Sequence, residues 1–382
     1  MIIDYSLIYI FYFILRIEIN RKNCFDYVRL YAAFQVLISH GQSHLNLNIP
    51  NIISNIFSYS GVSIFFAISG FLVTISWINS NFNLKTYLIS RSLRIFPALW
   101  TSAIISFFLI VCLGKFKFAF SLKGILWLSS QASPFTFWNP NELRDFGVGV
   151  INGSLWTIPV ELQFYIFVPL LISLYFLLKK RFSGFISSLS LVFIAALSVL
   201  VKVLIPQLPA LDGTSAREGS ILVKLLYVSF APHISTFIMG MLLALIVGVF
   251  GQKYCARFFI FIGFIMITID NILLINESLS IWINPIYTAF IFIGIGLFSS
   301  PFKLGFDISY GLYLYHMLVV NLLLELDIFN QFNILYAYLF CTFFLAFLSW
   351  NFIEYPISKF KKYLVKDRKE INFFNNLRNY KN

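Results

Sequence analysis

Among the ionisable side chains inside or at the edges of apolar segments of this sequence, six have types and spacing that could do chemistry. They are Arg29, His40, Arg91, Arg94, Glu161 and His316. A charged group at the centre of a bilayer costs at least about 2.5–3.5 kcal/mol on insertion scales, so such residues commonly have a function. Histidine and glutamate side chains can transfer protons, and the planar arginine guanidinium suits phosphate oxygens. The set therefore indicates proton transfer combined with binding of a phosphate-bearing ligand.

Arg29 and His40 are eleven residues apart in the first apolar segment. Eleven residues are close to three helical turns, so the two side chains share one helix face, about 16 Å apart along the axis. We place Arg29 at the cytoplasmic edge of the membrane and His40 near its middle. The alternatives are an arginine that only snorkels to the surface and a histidine that only hydrogen-bonds between helices.

Glu161 and His316 belong to two later apolar segments. We expect Glu161 about two turns into the outer half of the membrane, and His316 about 15 Å above the inner surface, level with His40. Two histidines at one depth below a carboxylate are suited to proton transfer. The alternative for Glu161 is a structural pairing with a distant arginine or histidine. The other histidines, His44 and His233, lack this context and are expected to be structural or interfacial.

Arg91 and Arg94 precede the third apolar segment on its cytoplasmic side. Residues three apart share a helix face, so the two guanidinium groups can act together on phosphate oxygens. The alternative is that both arginines only set the topology of the segment.

The composition determines which elements must position these residues. Of the 382 residues, 59% are hydrophobic and only 12% are charged, whereas about a quarter are charged in soluble domains. The apolar runs are continuous and do not alternate with period two, which argues against a membrane β-barrel. We therefore predict an all-α integral membrane bundle of about ten transmembrane helices. The predicted spans are 25–45, 52–78, 95–114, 154–178, 185–205, 221–249, 257–275, 281–300, 306–325 and 333–355.

The basic residues predict the orientation of the bundle. With the N-terminus placed in the cytoplasm, 21 of the 28 lysines and arginines fall on the cytoplasmic side, as the positive-inside rule requires. Both termini are then cytoplasmic, and Lys115–Gly153 is the longest outer connection, with 122–132 lying at the membrane surface. We interpret 21–357 as one membrane domain, 1–20 as an interfacial or mis-started segment, and 358–382 as a basic cytoplasmic tail.

Other partners are not indicated. The net charge of +12 is explained by short loops and the tail, so no nucleic-acid partner is predicted. Four cysteines are scattered without a Cys-x-x-Cys or Cys/His spacing, so neither a disulfide framework nor a metal site is expected.

Several strings in this order resemble the acyltransferase-3 family of membrane acyltransferases. The strings are Phe25-Asp-Tyr-Val-Arg29 running to His40, Gly61-Val-Ser-Ile-Phe-Phe-Ala-Ile-Ser-Gly-Phe71, Arg91-Ser-Leu-Arg94-Ile-Phe-Pro97, Gly153-Ser-Leu-Trp-Thr-Ile-Pro-Val-Glu161, Ser309-Tyr-Gly-Leu-Tyr-Leu-Tyr-His316 and Phe352-Ile-Glu-Tyr-Pro356. They extend from about residue 20 to 360. Leu162 departs from many relatives, which carry a second acidic residue there.

The resemblance implies ten helices in a bacterial inner membrane, a cytoplasmic acyl-CoA donor such as acetyl-CoA, and a glycan or glycolipid acceptor on the other side. Arg29, Arg91 and Arg94 would hold the CoA phosphates, and His40 would act as general base. Glu161 or His316 would orient the histidine or the acceptor hydroxyl. The fused esterase-like domain of some relatives is not expected, because too few residues follow position 357.

Two other functions fit a helical membrane protein. A glycan polymerase or flippase also has many helices and few charges, but it would neither bind nor consume CoA. A sensor or structural membrane protein would not need histidines and a glutamate clustered in the membrane. The ordered motifs favour the acyltransferase.

Overall fold

The computed structural model describes residues 17–20, 22–204, 225–272, 277–300, 302, 304–327 and 331–361. Within these ranges the chain forms helices joined by turns and loops, with one isolated β-bridge and no strand. The α-helices are α1 Phe25–Leu45, α2 Asn51–Ile56, α3 Gly61–Asn79, α4 Leu84–Cys112, α5 Phe116–Ala119, α6 Leu122–Gln131, α7 Thr157–Arg181, α8 Gly184–Leu204, α9 Ile234–Phe250, α10 Gln252–Ile272, α11 Glu277–Leu297, α12 Ser309–Leu326 and α13 Gln331–Ser349. Short 3₁₀ helices occupy Asn141–Leu143 and Gly153–Trp156, and a π-helix at Trp350–Glu354 continues α13.

The prediction of an all-α membrane bundle is confirmed. Among the described residues, eight stretches are long and apolar enough to cross a membrane. They are Asn51–Asn79, Leu84–Cys112, Gly153–Arg181, Gly184–Leu204, Gln252–Ile272, Ser280–Leu297, Ser309–Leu326 and Asn333–Lys361. The two remaining predicted spans correspond to α1 and to α9, which is a shorter apolar helix. Residues 205–224, which include the start of the predicted span 221–249, lie outside the described residues.

One helix boundary differs in a way that matters for the site. Helix α4 begins at Leu84 and not near residue 95, so Arg91 and Arg94 lie within the helix and not before it. The early start has a local cause, because Asn83 caps the helix: its side-chain oxygen accepts a hydrogen bond from the Thr86 backbone N–H at 2.9 Å. A helix start placed by hydropathy alone misses this polar first part of α4.

The described residues divide into two compact units. The first takes its residues from Met1–Gln42, Asn48–Phe82 and Leu155–Ser309, and the second from Ser43–Leu47, Asn83–Ser154 and Tyr310–Asn382. The predicted N-terminal segment and basic tail lie largely outside the described residues, which do not include 1–16 and 362–382. The predicted domain boundaries therefore stay predictions.

The first unit is organised around the pair α3 and α9. A Cβ added to Gly70 would lie 2.0 Å from the Phe237 carbonyl oxygen, and one added to Gly240 would lie 2.1 Å from that of Ala67. Glycines at these positions let the two backbones approach closely, which is how membrane helices commonly pack. The rings of Phe164 on α7 and Phe237 stack beside them with centroids 4.1 Å apart.

In the second unit, α4 packs against α5, α6 and the π-helix. The short helix predicted within the outer connection is present as α6, and it buries Trp127. A Cβ on Gly124 would lie 2.1 Å from the Phe118 carbonyl oxygen, so α6 crosses the preceding residues at close range. Helices α12 and α13 approach at Gly311, whose added Cβ would lie 2.8 Å from the Cα of Ala346.

We expect Gly70→Ala to destabilise the protein. The added methyl group would overlap backbone atoms of Phe237, which cannot move away as a flexible side chain can. Overpacking of this kind costs about 1–3 kcal/mol or more. The measurement is the fraction of protein that stays monodisperse in detergent after heating. Gly184→Ala is the control, because its Cβ would meet only the Lys179 side chain at 3.7 Å and the Tyr175 hydroxyl at 4.0 Å. Equal stability of the two variants would contradict the close α3–α9 contact.

Candidate active site

The predicted site residues form separate local constellations in the two units. Arg29, His40 and Glu161 belong to the first unit, and Arg91, Arg94 and His316 belong to the second.

Arg29 lies in the second turn of α1 and is held by two carboxylates. Its Nη2 atom forms an ion pair with Asp26, one turn earlier, and lies 3.0 Å from Oδ2 of Asp307. The Ser309 hydroxyl donates to the other oxygen of Asp307. The Arg29 side chain is only 12% exposed. These contacts fix the guanidinium, and they offset its charge, so a phosphate group must compete with two carboxylates for it.

His40 follows Arg29 on the same helix and is half-buried. The helix continues without interruption from Phe25 to Leu45, so the predicted common face and the separation of about 16 Å follow from its geometry. Two glutamines on the opposite side anchor α1. Gln35 accepts a hydrogen bond from the Gly61 N–H at 2.6 Å, and Gln42 donates to the Ser54 hydroxyl at 3.0 Å. The face with Arg29 and His40 therefore has a fixed orientation.

Glu161 lies in the second turn of α7 and is paired with a tyrosine. The hydroxyl of Tyr165, one turn later, donates a hydrogen bond to Oε1 of Glu161. The ring of Tyr165 is buried, so the phenol is held in place. The neighbouring Gln163 accepts a hydrogen bond from the Phe230 N–H at 3.0 Å, which fixes this part of the helix. The tyrosine can thus orient the carboxylate.

Arg91 and Arg94 lie one turn apart in α4. Residues three apart share a helix face, so the two guanidinium groups lie on one side of α4. Within the second unit, α4 packs against the π-helix at Trp350–Glu354.

His316 is fully buried in α12. Its Nδ1 atom lies 3.1 Å from the carbonyl oxygen of Leu312, one turn earlier. A neutral imidazole that donates from Nδ1 to this carbonyl carries its basic lone pair on Nε2. The ring of Tyr313 lies 6.0 Å away, and the Tyr313 hydroxyl donates to the Ser154 carbonyl at 2.8 Å. The helix that bears His316 is thereby tied to the start of the Gly153-Ser-Leu-Trp string.

A buried asparagine on the same helix holds the end of the outer connection. The side chain of Asn321 accepts from the Val148 N–H at 2.8 Å and donates to the carbonyl oxygens of Val150 at 2.9 Å and Ile151 at 2.8 Å. Next in the chain, Asn152 donates to the Leu314 carbonyl at 2.8 Å. Four polar contacts within residues 148–152 therefore fix this segment against α12. Sequence reasoning missed both asparagines.

The outer connection also encloses an open cavity of about 830 Å³. Its lining residues are Gly114, Lys115, Phe116, Lys117, Phe118, Asn141, Glu142 and Asp145. Lys115 forms an ion pair with Asp145 at 2.8 Å, and Lys123 forms one with Glu142. Hydrogen bonds from these lysines lower the pKa of both carboxyl groups.

In the described part of the chain, no group of three or more His, Cys, Asp or Glu side chains comes together in a way that could hold a metal ion.

The cavity provides a test of the predicted orientation. We expect a cysteine at position 141 to react with a membrane-impermeant thiol reagent added to intact cells, since the bias of basic residues places this residue outside. The native chain has four cysteines, so the variant Asn141→Cys is made in a background where all four are serine. A cysteine in place of Lys253 is the matched inner control. Labelling of position 141 only after permeabilisation would contradict the orientation.

The fold and these constellations define a polytopic membrane protein with titratable groups in its helices. A family model described as an acyltransferase domain matches residues 22–353. Nodulation protein 10 of Rhizobium leguminosarum bv. viciae is 30% identical over 387 residues, which are 91% of this chain and 96% of that protein. An O-acetyl transferase of Shigella phage Sf6 is 35% identical over 153 residues, covering 38% of this chain and 45% of that protein. No solved structure matches.

The chain therefore belongs to the acyltransferase-3 family. It is an integral membrane enzyme that transfers acyl groups.

Proposed function

We propose that this enzyme moves an acetyl group from cytoplasmic acetyl-CoA to a hydroxyl of an extracytoplasmic glycan, such as an O-antigen or an exopolysaccharide. The observation that carries the proposal is the common face of α1, on which Arg29 and His40 lie about 16 Å apart. This is about the distance that the pantetheine arm of CoA must bridge between the membrane surface and a reaction centre inside. The similarity to a phage protein named O-acetyl transferase supports acetyl as the group.

His40 acts as general base in the proposed reaction. It takes the proton of the sugar hydroxyl while the hydroxyl oxygen attacks the thioester carbonyl. An ester C–O bond forms, the C–S bond breaks, and the proton passes to the departing CoA thiolate. Glu161, which Tyr165 orients, or His316, whose Nδ1 lies 3.1 Å from the Leu312 carbonyl oxygen, orients the general base or the acceptor hydroxyl.

Arginine side chains bind the donor in this scheme. Arg91 and Arg94 hold CoA phosphates through bidentate hydrogen bonds. Arg29 also attracts the phosphates, but Asp26 and Asp307 already form ion pairs with its guanidinium. These carboxylates offset its charge, so Arg29 attracts phosphate less strongly than an arginine without such ion pairs would.

The proposal places the enzyme in a bacterial inner membrane with both termini in the cytoplasm. The donor then binds on the inner side, and the outer connection with its cavity faces the acceptor. Sugar hydroxyls need hydrogen-bond partners, and the carboxylates of Glu142 and Asp145 line the cavity as acceptors for them. Membership of an acyltransferase family favours this function over a glycan polymerase or flippase.

The proposed function is tested on surface glycans of host cells with and without the gene. Mass spectrometry should find ester-linked acetyl groups on a glycan only in cells that carry the gene, and mild alkali should remove them. A strain with the His40→Ala variant at equal protein level is the control for indirect effects of expression. The same ester content in all strains would overturn the proposal.

A further inference from the structure

The cavity in the outer connection has two walls that ion pairs hold together. One wall is formed around α5, and the other by the 3₁₀ helix at Asn141–Leu143 and the residues that follow it. Lys115 on the first wall lies 2.8 Å from the Asp145 carboxylate on the second. Lys123 on α6 forms the other ion pair, with Glu142. The shape of the cavity is therefore fixed by contacts within the second unit.

Aromatic rings supply the apolar part of the lining. The ring of Phe118 lies against the buried Trp127, with centroids 6.3 Å apart. The ring of Phe116 packs on that of Phe120 at 4.6 Å, yet Phe116 is still 59% exposed. The C–H face of a sugar ring is apolar and can pack on such an exposed ring. The volume of about 830 Å³ also lies in the usual range of ligand sites, about 300–1,000 Å³.

The polar part of the lining has one cation more than its carboxylates require. Glu142 and Asp145 are each paired with a lysine. A further lysine, Lys117, lines the cavity and is exposed. Among the residues that the structure describes, Lys117 forms no ion pair and no hydrogen bond. One positive charge of the cavity is therefore unbalanced.

This combination matches a ligand that carries one anionic group and several hydroxyls. The ammonium of Lys117 is a compact point charge, which attracts an anion without requiring a planar partner. The carboxylates of Glu142 and Asp145 keep lone pairs beyond those that the lysines use, so they can accept from hydroxyl groups. The side-chain amide of Asn141 can both donate and accept. A neutral sugar would leave Lys117 unused, whereas a uronic acid or another sugar with a carboxylate would engage it.

We infer that this cavity binds an acidic sugar of the acceptor glycan, with the sugar carboxylate at Lys117 and the sugar ring on Phe116. This inference rests on the proposed function for the glycan acceptor and for the side of the membrane, and it adds the charge of the acceptor. The phosphate of an anionic lipid headgroup would also be attracted to Lys117, so the experiment includes that outcome.

The test compares pairs of sugars that differ only in charge. The probes are the methyl glycosides of glucuronic, galacturonic and N-acetylneuraminic acid and their methyl esters, titrated on the purified full-length protein in nanodiscs of neutral lipid. At low salt the wild type should bind at least one acid about fivefold more tightly than its ester, which is the upper end for an exposed ion pair. Added salt should reduce this preference. Equal affinity for acid and ester in every pair would overturn the inference.

Variants locate the preference within the cavity. Lys117→Gln should remove it, and Lys117→Arg should retain it because the charge is kept. Arg144→Gln is the matched control and should retain it too, since Arg144 is exposed in the same connection and is not among the described residues that line the cavity. Phe116→Ala should weaken binding of acid and ester alike. The wild-type preference in a folded Lys117→Gln protein, or unchanged affinities in Phe116→Ala, would overturn the inference.

A second arm uses nanodiscs with phosphatidylglycerol and counts bound lipid by native mass spectrometry. Loss of anionic lipid from Lys117→Gln, with an unchanged preference for the acid, would assign Lys117 to a headgroup and also overturn the inference. Kinetics separate it from the proposed function. If the wild-type protein acetylates glycan and Lys117→Gln keeps the wild-type KM for an acidic acceptor, only the inference fails. If acid binding depends on Lys117 but no transfer occurs, only the proposed function fails.

Discussion

Replacement of His40 by alanine is expected to lower the rate of acyl transfer about 10²–10⁴-fold, which is the usual contribution of one general base. A sugar hydroxyl is a poor nucleophile near neutral pH and must lose its proton as it attacks the thioester. Imidazole titrates near neutral pH and is the usual side chain for this task. His40 lies on the fixed face of α1 together with Arg29. The measurement is glycan acetylation in membranes with matched protein levels.

Two controls separate a catalytic role of His40 from a structural one. The His40→Ala protein should still insert in the membrane and bind CoA with near-normal affinity, because the phosphate-binding arginines are unchanged. His44→Ala, one turn further along α1, should have little effect on transfer. Near-normal acetylation by His40→Ala would show that the proposed mechanism is wrong, and His316 would become the next candidate for the general base.

The double variant Arg91→Lys, Arg94→Lys is expected to weaken CoA binding about 10–100-fold. Each lysine keeps the positive charge that sets topology, but it loses the planar fork that binds two phosphate oxygens at once. A hydrogen bond to a charged group typically contributes about 1.5–3 kcal/mol, so the loss is measurable by titration calorimetry with CoA.

Arg181→Lys is the matched control for the double variant. Arg181 ends α7 on the predicted cytoplasmic side, and its guanidinium lies 6.0 Å from the centre of the Phe182 ring. It should bind CoA as the wild type does. Wild-type affinity in the double variant as well would leave Arg91 and Arg94 as topology signals only.

Much of the fold was predictable, because lipid imposes simple rules on sequence. Eight of the ten predicted spans overlap described stretches that are long and apolar enough to cross a membrane, and the other two overlap α1 and the shorter α9. Continuous apolar runs in a membrane leave few alternatives to a helix. The helical register that puts Arg29 and His40 on one face also follows from spacing alone. By contrast, α4 begins earlier than hydropathy suggests, because its first turns are polar and depend on a cap at Asn83.

Contacts between distant residues were not predictable from one sequence. Asp307 is far from Arg29 in the chain, and only the packing of the first unit brings their charges within 3.0 Å. The hydrogen bonds of Asn321 to the outer connection have the same origin. Local spacing is visible in sequence, whereas partners of charged and polar groups depend on tertiary structure.

The central claim is that acyl groups pass from cytoplasmic acyl-CoA to a glycan on the other side of the membrane. Its most direct test supplies acetyl-CoA with a labelled acetyl group to inside-out membrane vesicles, which expose the cytoplasmic face, and measures ester-linked label in the glycan fraction. We predict label that depends on the protein and on His40, with none in sealed right-side-out vesicles. Equal labelling of inside-out vesicles with and without the protein would contradict the account.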